Sequence, residues 1–210
     1  MTEREKMVAG MLYDSADQEL QDLRERCVHL CKKFNDLSEL RAAEQKEVLK
    51  ELLGSVGEHL WIRPPLRLDY GCNVYLGNVS INFNCTMLDV APIHIGDNVQ
   101  IGPNVSFFTA SHPLLAKERN AQFDETGRRY TLEYGKPITV EDNVWIGGGT
   151  IINGGVTIGH DAVIGAGSVV TKDIPAGVVA AGVPCRVIRP LTKNDAMFGK
   201  SPNEDIAPSE

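Results

Sequence analysis

The stretch "VEDNVWIGGGTIINGGVTIGHDAVIGAGSVV", from Val140 to Val170, decides the fold. An aliphatic residue stands at every sixth position without a slip, at Val140, Ile146, Ile152, Ile158, Ile164 and Val170. Four residues after each of these lies a residue that is mostly small or β-branched: Val144, Thr150, Val156, Ala162, Ser168 and Ile174. A period of six is neither the 3.6 of an α-helix nor the alternation of a strand. It predicts a coil with three flat sides, each pointing one aliphatic side chain inward.

Stacked coils of this kind pair every strand with neighbours above and below, so no single coil is stable alone. The repeat therefore predicts a mainly β protein, a parallel β-helix of roughly six or more coils. Glycine and asparagine near the small residue suit the left-handed backbone that a tight corner requires.

Before residue 113 the repeat is less regular. Leu76 and Leu88 keep its phase, with Asn82 where an aliphatic residue is expected, and after one extra residue it resumes at Ile95, Ile101 and Phe107. It then stops at "TASHP" and returns only at Val140. Because a long excursion from a solenoid is usually functional or disordered, we expect the loop 113–136 to wall off an active site.

The first sixty residues are predicted to be helical. One apolar face recurs at spacings of three and four, formed by Leu20, Leu23, Cys27, Leu30 and Phe34. Ser15 with Gln18 is a candidate capping box, and Ser38 and Gly54 are a candidate N-cap and C-terminal stop for a second helix. The predicted organisation is a helical segment 1–60, a β-helix 61–190 and a polar tail 191–210 that we expect to be mobile.

Composition excludes several classes of protein. Lys and Arg number 21 against 28 Asp and Glu, a net charge of −7, which disfavours nucleic acid as a partner. No apolar run approaches the roughly 18 residues that span a bilayer, and the N-terminus lacks the apolar core of a signal peptide. The five cysteines are scattered and odd in number, which favours reduced thiols over disulfides or a metal site. We expect a soluble, cytoplasmic protein without a membrane partner.

Among five histidines, His112 is the best candidate for a general base, because it opens the excursion. An imidazole titrates near about 6.5, so it is available as a base at neutral pH. From the residues alone, a loop histidine ordered by Pro113 remains an equal alternative. No nucleophile elbow is evident, which favours direct attack over a covalent intermediate.

Ordered motifs resemble those of a known family. "AGMLYD", "NFNCTMLDVAPIHIGDNVQIGPNV", "SHP", "YGKPITVEDNVWIGG" and "VVTKDIPAGVVAAGVPCRVI" make the chain similar to the hexapeptide-repeat acyltransferases, especially the maltose and galactoside O-acetyltransferase group. The resemblance implies a left-handed β-helix, a homotrimer with each site between subunits, and transfer of an acetyl group from acetyl-CoA to a sugar hydroxyl without a metal.

The resemblance also implies site residues. Its catalytic histidine corresponds to His112, and its acceptor-site residues correspond to Asp14, Asp69, Asn82, Asp89 and Glu133, whose polar side chains suit sugar hydroxyls. The positions that would line the pantetheine arm or receive the nucleotide and its phosphates are Trp145, Gly147, Gly148, Ala166, Thr171, Lys172, Arg186 and Arg189. Asp69 stands where the galactoside enzymes carry a serine, and Glu133 matches the maltose-like members better. The loop after His112 is longer than in the shortest relatives, which puts the identity of the acceptor in doubt.

Three alternatives remain open. The acceptor could be an antibiotic or other xenobiotic, or an amine, since only the pocket would differ. The chain could also be a catalytically silent trimeric scaffold. A metal-dependent hydratase would need His94, His112 and His160 to cluster, which the intervening loop disfavours.

Overall fold

The structure is a computed structural model that describes residues 1–198. Its helices are α1 Glu3–Val8, α2 Gln18–Asp36, α3 Ala42–Leu52 and α4 Ala116–Arg119, with a 3₁₀ turn at Lys193–Asp195. Its strands are β1 Tyr13–Asp14, β2 Trp61–Ile62, β3 Leu66–Leu68, β4 Val74–Leu76, β5 Val79–Ile81, β6 Cys85–Leu88, β7 Ile93–Ile95, β8 Val99–Ile101, β9 Ser106–Phe108, β10 Ala110–Ser111, β11 Gln122–Phe123, β12 Arg129–Tyr130, β13 Leu132–Gly135, β14 Ile138–Val140, β15 Trp145–Ile146, β16 Ile151–Asn153, β17 Thr157–Ile158, β18 Val163–Ile164, β19 Val169–Val170, β20 Val178–Ala181 and β21 Arg186–Pro190.

Three parallel sheets form the sides of a β-helix. The first side orders its strands β4-β7-β14-β17, the second β2-β5-β8-β15-β18-β20, and the third β3-β6-β9-β16-β19. Successive strands of the chain visit the three sides in turn, so each full circuit adds one strand to every sheet. The predicted fold class is confirmed.

The inward positions of the repeat are buried as predicted. Ile146, Ile152 and Ile158 are fully inaccessible, and each pairs through its strand with an inward residue of a neighbouring coil. The small residues four positions later, such as Thr150 and Ser168, are buried as well. A single apolar column therefore runs the length of the β-helix.

The predicted phase of the first coils is wrong. Leu76 is inward, but the next inward residues are Ile81 and Met87, which align with Ile101 and Phe107, whereas Leu88 is only half-buried. The side between Leu76 and Ile81 is thus one residue short. Asn82 does not replace an inward aliphatic residue; it follows one, at a corner, as Gly102 does.

The corners use left-handed backbone. Positive φ recurs every six residues at Asn143, Gly149, Gly155, Asp161 and Gly167. Asn143 also joins its neighbours in a ladder, accepting from Asn98 Nδ2 at 3.2 Å and donating to Asp161 Oδ1 at 3.0 Å. These side-chain bonds link corners of successive coils.

The N-terminal helices begin elsewhere than predicted. Asp17, not Ser15, caps α2 by accepting from the amide of Glu19, and α3 begins after Arg41 without a side-chain cap. Ser38 instead forms a turn, in which its carbonyl accepts from the Arg41 amide at 2.9 Å. Gly54 follows the end of α3 but lacks the positive φ of a glycine stop. It is needed for a close approach, because a Cβ there would lie 2.6 Å from the Cys72 carbonyl oxygen.

Helix α2 covers the first coil. Asn35 donates to the Leu66 carbonyl at 2.9 Å and accepts from its amide at 2.8 Å, so one side chain pairs backbone groups at the edge of β3. At the other end, β21 runs antiparallel to β20. Covering both ends protects sheet edges that could otherwise pair with other chains.

Part of the predicted tail is ordered against the β-helix. Arg189 pairs with Asp195 at 2.7 Å, and Thr192 caps the 3₁₀ turn. The rest of that predicted tail, 199–210, lies outside the described residues. Within residues 1–198, no helix combines the length and apolar character needed to cross a bilayer.

Candidate active site

His112 lies where the excursion leaves the β-helix, at the edge between the third and first sides. The strand before it, β10, pairs antiparallel with β13, and β13 pairs with β1 near the N-terminus. The backbone amide of Lys136 donates to the Thr109 carbonyl at 3.0 Å, and this bond closes the base of the excursion. The His112 side chain is exposed and makes no hydrogen bond with another described residue. Its backbone is therefore fixed while its imidazole stays available.

A cleft of about 350 Å³ opens at the root of the excursion. Its walls include Ser111, Tyr134, Lys136 and Asn153. The sequence did not identify these four residues, because they come together only when β10 and β13 fold back beside β16. The one usable signal was Asn153, which stands immediately before two corner glycines at the level of the excursion.

Carboxylates and tyrosines gather beside β13 in an arrangement that we call the acceptor cluster: Tyr13, Asp69, Tyr70, Asp89 and Glu133. Tyr13 donates to Glu133 at 3.2 Å, and Arg24 donates to the Tyr70 hydroxyl at 2.7 Å. Burial, and then the charges of Asp89 and Glu133, raise the pKa of Asp69 to about 6. Burial likewise raises the pKa of Tyr70 to about 12. Three of the predicted acceptor residues are thus close neighbours.

Asp89 does not have the environment of a residue that binds a sugar directly. It is fully buried, and its carboxylate accepts the amides of Asp69 at 3.1 Å, Tyr70 at 2.9 Å and Asn73 at 3.3 Å. Burial raises its pKa, while these N–H bonds oppose the rise. Its oxygens hold the corner 69–73 in place, so any influence on an acceptor passes through that corner.

Asp14 is buried at the start of the same sheet. Its Oδ1 accepts from the Ala16 amide at 3.0 Å, and its Oδ2 accepts from Arg128 at 2.7 Å. Asp14 pairs through its backbone with Leu132 on β13, one residue from Glu133. Asp14 and Glu133 therefore lie on neighbouring strands, but strand alternation points their side chains to opposite faces. Arg128 is a contact that the sequence did not identify.

Asn82 lies at another edge of the β-helix. It follows β5, between the second and third sides, and its Oδ1 accepts from the Phe83 amide at 2.8 Å. A side of six residues separates this edge from that of His112, or about 20 Å at strand rise. Within one chain the structure does not bring Asn82 and His112 together.

The predicted cofactor positions are divided between the edge of Asn82 and the edge of His112. Gly147, Gly148 and Ala166 follow second-side strands at the edge of Asn82, whereas Thr171 and Lys172 share the edge of His112. Trp145 faces outward as predicted, with 56% of it exposed. Gly147 has a structural reason to be glycine, since a Cβ would lie 2.5 Å from the Ala166 amide nitrogen.

The cationic positions differ in their partners. Lys172 is exposed and makes no hydrogen bond or ion pair with another described residue. Arg186 donates to the Cys185 carbonyl at 2.7 Å, and Arg189 is held by Asp195. Of the three side chains, Lys172 is therefore the most available to bind a phosphate.

The other candidate histidines have separate settings. His94 stacks on Tyr75 with ring centroids 4.6 Å apart, and a hydrogen bond to Asp161 raises the pKa of His160. Across residues 1–198 no group of three or more potential ligands could hold a metal ion. All five cysteines are free thiols.

Family models match both parts of the chain. The maltose acetyltransferase hexapeptide capping motif matches residues 6–57, and the bacterial transferase hexapeptide (six repeats) matches residues 137–172. The first covers the helices that cap the β-helix, and the second covers its most regular coils.

Relatives cover nearly the whole chain. Galactoside O-acetyltransferase of Escherichia coli K12 is 43% identical over 94% of this chain and 93% of its own, and nodulation protein L of Rhizobium meliloti is 45% identical over 89% and 97%. A solved maltose O-acetyltransferase from Clostridium difficile is 47% identical over 92% of this chain and 99% of its own, with a TM-score of 0.85. A solved galactoside acetyltransferase in complex with coenzyme A is 41% identical over 96% and 97%, also at 0.85. The chain therefore belongs to the maltose and galactoside O-acetyltransferase family of hexapeptide-repeat enzymes.

Proposed function

We propose that this enzyme moves an acetyl group from acetyl-CoA to a hydroxyl of a sugar of maltose, glucose or galactoside type, with His112 as general base. The observation that carries the proposal is the sheet β1-β13-β10, which ties His112 to the acceptor cluster. A base with a free imidazole thus stands near side chains able to orient hydroxyl groups.

The proposed reaction is a direct transfer. His112 takes the hydroxyl proton as the oxygen attacks the thioester carbonyl and the new C–O bond forms. The C–S bond then breaks, and the departing CoA thiolate takes the proton from His112 and leaves as the thiol. Asp14, Asp69 and Glu133 orient the acceptor, and Asp89 contributes by holding the corner that carries Asp69. Glu133 and Tyr13 share a hydrogen bond, so the orientation of this carboxylate is fixed before the acceptor binds.

We place acetyl-CoA along the outer surface of the later coils. Trp145, Gly148 and Ala166 are accessible positions for the pantetheine arm, and Thr171, Lys172, Arg186 and Arg189 would receive the nucleotide and its phosphates. Exposed cations suit a polyanionic ligand on a protein whose net charge is −7.

The assembly proposed is a homotrimer. The separation of Asn82 and Gly148 from His112 supports it, since a neighbouring copy could bring the edge of Asn82 against the edge of His112. A closed ring of three copies would then form three equivalent sites.

The test of His112 is CoA release from acetyl-CoA with a panel of neutral sugars. We expect His112→Ala to lose at least about a hundredfold in kcat, the usual contribution of a positioned base. His59→Ala is the matched control, since only the backbone amide of His59 is hydrogen bonded, to Asn78. Retention of most of the wild-type rate by His112→Ala would exclude the assignment.

The cofactor site is tested separately by titration with acetyl-CoA. Trp145→Ala and Lys172→Ala should each weaken binding, by about tenfold for the loss of a stacking or phosphate contact. Lys193→Ala, a change of another exposed lysine, should leave binding unchanged. Equal affinities in all four proteins would place the cofactor elsewhere.

A further inference from the structure

The tip of the excursion is a hydrogen-bonded hairpin. Strands β11 and β12 pair antiparallel, and Asp124 organises the turn between them by accepting from the amides of Thr126 at 2.9 Å and Arg128 at 3.0 Å. Gly127 provides the positive φ of +83° that the turn requires. The backbone of Arg128 is therefore held in one place.

The Arg128 side chain extends from this tip to Asp14, a predicted acceptor residue that adjoins Tyr13 of the acceptor cluster. Its Nη1 donates to Asp14 Oδ2 at 2.7 Å, its Nε donates to Asp124 Oδ2 at 3.2 Å, and its guanidinium lies 5.7 Å from the Tyr130 ring centroid. Asp14 is buried while Arg128 is half-exposed, so the positive charge lies on the solvent side of the Asp14 carboxylate.

The neighbourhood of this guanidinium is acidic. Its nearest carboxylates are those of Asp14 and Asp124, which both accept from it. Glu3 accepts from the Asp14 amide at 2.6 Å and pairs with Lys6. The other guanidinium nearby is that of Arg24, which is bound to the Tyr70 hydroxyl and the Ser15 carbonyl. Removing the charge at position 128 would leave the buried Asp14 carboxylate without its cation and make its surroundings more attractive to cations.

We propose that Arg128 is a specificity-determining residue, which balances the carboxylate of Asp14 at the acceptor site and so favours neutral polyhydroxylated acceptors over cationic amino sugars. The inference rests on the proposed function. It gives the hairpin a role in selecting the acceptor by charge, beyond that of a wall.

The experiment compares kcat/KM, by CoA release at about pH 6.5, for a neutral sugar and its 2-amino analogue, such as glucose and glucosamine, whose amine is then cationic. The amino-to-neutral ratio should rise about fivefold in Arg128→Gln and further in Arg128→Glu, and should stay within about twofold of wild type in Arg128→Lys. Arg129→Gln, the exposed neighbour on the same hairpin, is the control and should not change the ratio.

If Arg128 were only a structural contact, its substitution would lower kcat/KM for the neutral and the amino sugar together. Arg128→Gln and Arg128→Glu would then have the same amino-to-neutral ratio. That outcome, with the wild type active on sugars, would overturn this inference alone. A wild type that acetylates no sugar of the panel would overturn the proposed function, and this inference with it. Thermal unfolding of each variant checks that the hairpin change leaves the β-helix folded.

Discussion

At the scale of single residues, the raised pKa of Asp69 predicts a pH dependence of stability that can be tested without substrate. Its pKa is raised to about 6 in the folded protein, against about 3.9 in an unfolded chain. The folded state therefore binds this proton more tightly, and stability is lost as the pH rises from about 4 through about 6. Asp69→Asn should be more stable than wild type by about 1 kcal/mol at about pH 8, after discounting for partial exposure, and equal to it near pH 4.

Thermal unfolding across that pH range measures the difference. Glu125→Gln removes an exposed carboxylate of the hairpin and is the control, for which we expect no pH-dependent change. A stability gain for Asp69→Asn that is the same at both ends of the range would show that the effect is not due to titration.

The roles of single carboxylates are the part of the site that the sequence predicted least well. Asp69 and Asp89 both adjoin apolar strand residues and look alike in the sequence. Only the fold distinguishes them, because the corner 69–73 turns its amides onto Asp89 and leaves Asp69 half-buried. Arg128 could not be found either, since its partner Asp14 is over a hundred residues away.

At the scale of elements, corner glycines are required for two different reasons that predict different costs. A Cβ on Gly159 would lie 2.6 Å from the Ala176 amide nitrogen, so neighbouring coils would have to move apart. Gly167 has open space but a φ of +71°, where alanine is strained by about 1 kcal/mol. Gly159→Ala should therefore destabilise the fold by about 2 kcal/mol or more, clearly beyond Gly167→Ala.

Urea unfolding of both variants measures the two costs, with Gly127→Ala as a positive-φ control outside the β-helix. A cost at Gly159 no greater than that at Gly167 would mean that the neighbouring coil accommodates the added methyl group without moving. That result would contradict the steric explanation of the repeat.

The repeat itself was predictable because coil spacing imposes it on every side. The slip before Ile81 was not, since a strict six-residue template places Asn82 inward. Strand alternation would have corrected it: Val79 and Ile81 are both buried, and Ser80 between them is exposed. Where a side is one residue short, the alternation within a strand is a better guide than the period between strands.

At the scale of the whole molecule, the excursion links the N-terminal segment to the site. Ser15 donates its amide to the Thr131 carbonyl at 3.3 Å, and its hydroxyl lies 3.1 Å from that of Thr131. The N-terminal segment thus holds the returning arm of the excursion, which in turn holds the strand before His112. The sequence predicted the helical segment and the β-helix. It did not predict the contact between the N-terminal segment and the returning arm of the excursion, because that contact depends on pairing between residues far apart in the chain.

The distance between Asn82 and His112 within one chain leads to a prediction for mixed assemblies. If each site takes His112 from one subunit and Asn82 from its neighbour, then His112→Ala and Asn82→Ala homotrimers are both defective, yet co-expressed chains recover activity. With equal, random mixing about one site in four has both wild-type residues, so about a quarter of wild-type CoA release is expected. Co-expression of His112→Ala with an Asn84→Ala chain, whose own homotrimer should be active, controls for expression and mixing. If the mixture of His112→Ala and Asn82→Ala chains is no more active than the two separate homotrimers added together, then the edge of Asn82 does not meet the edge of His112 in the assembly.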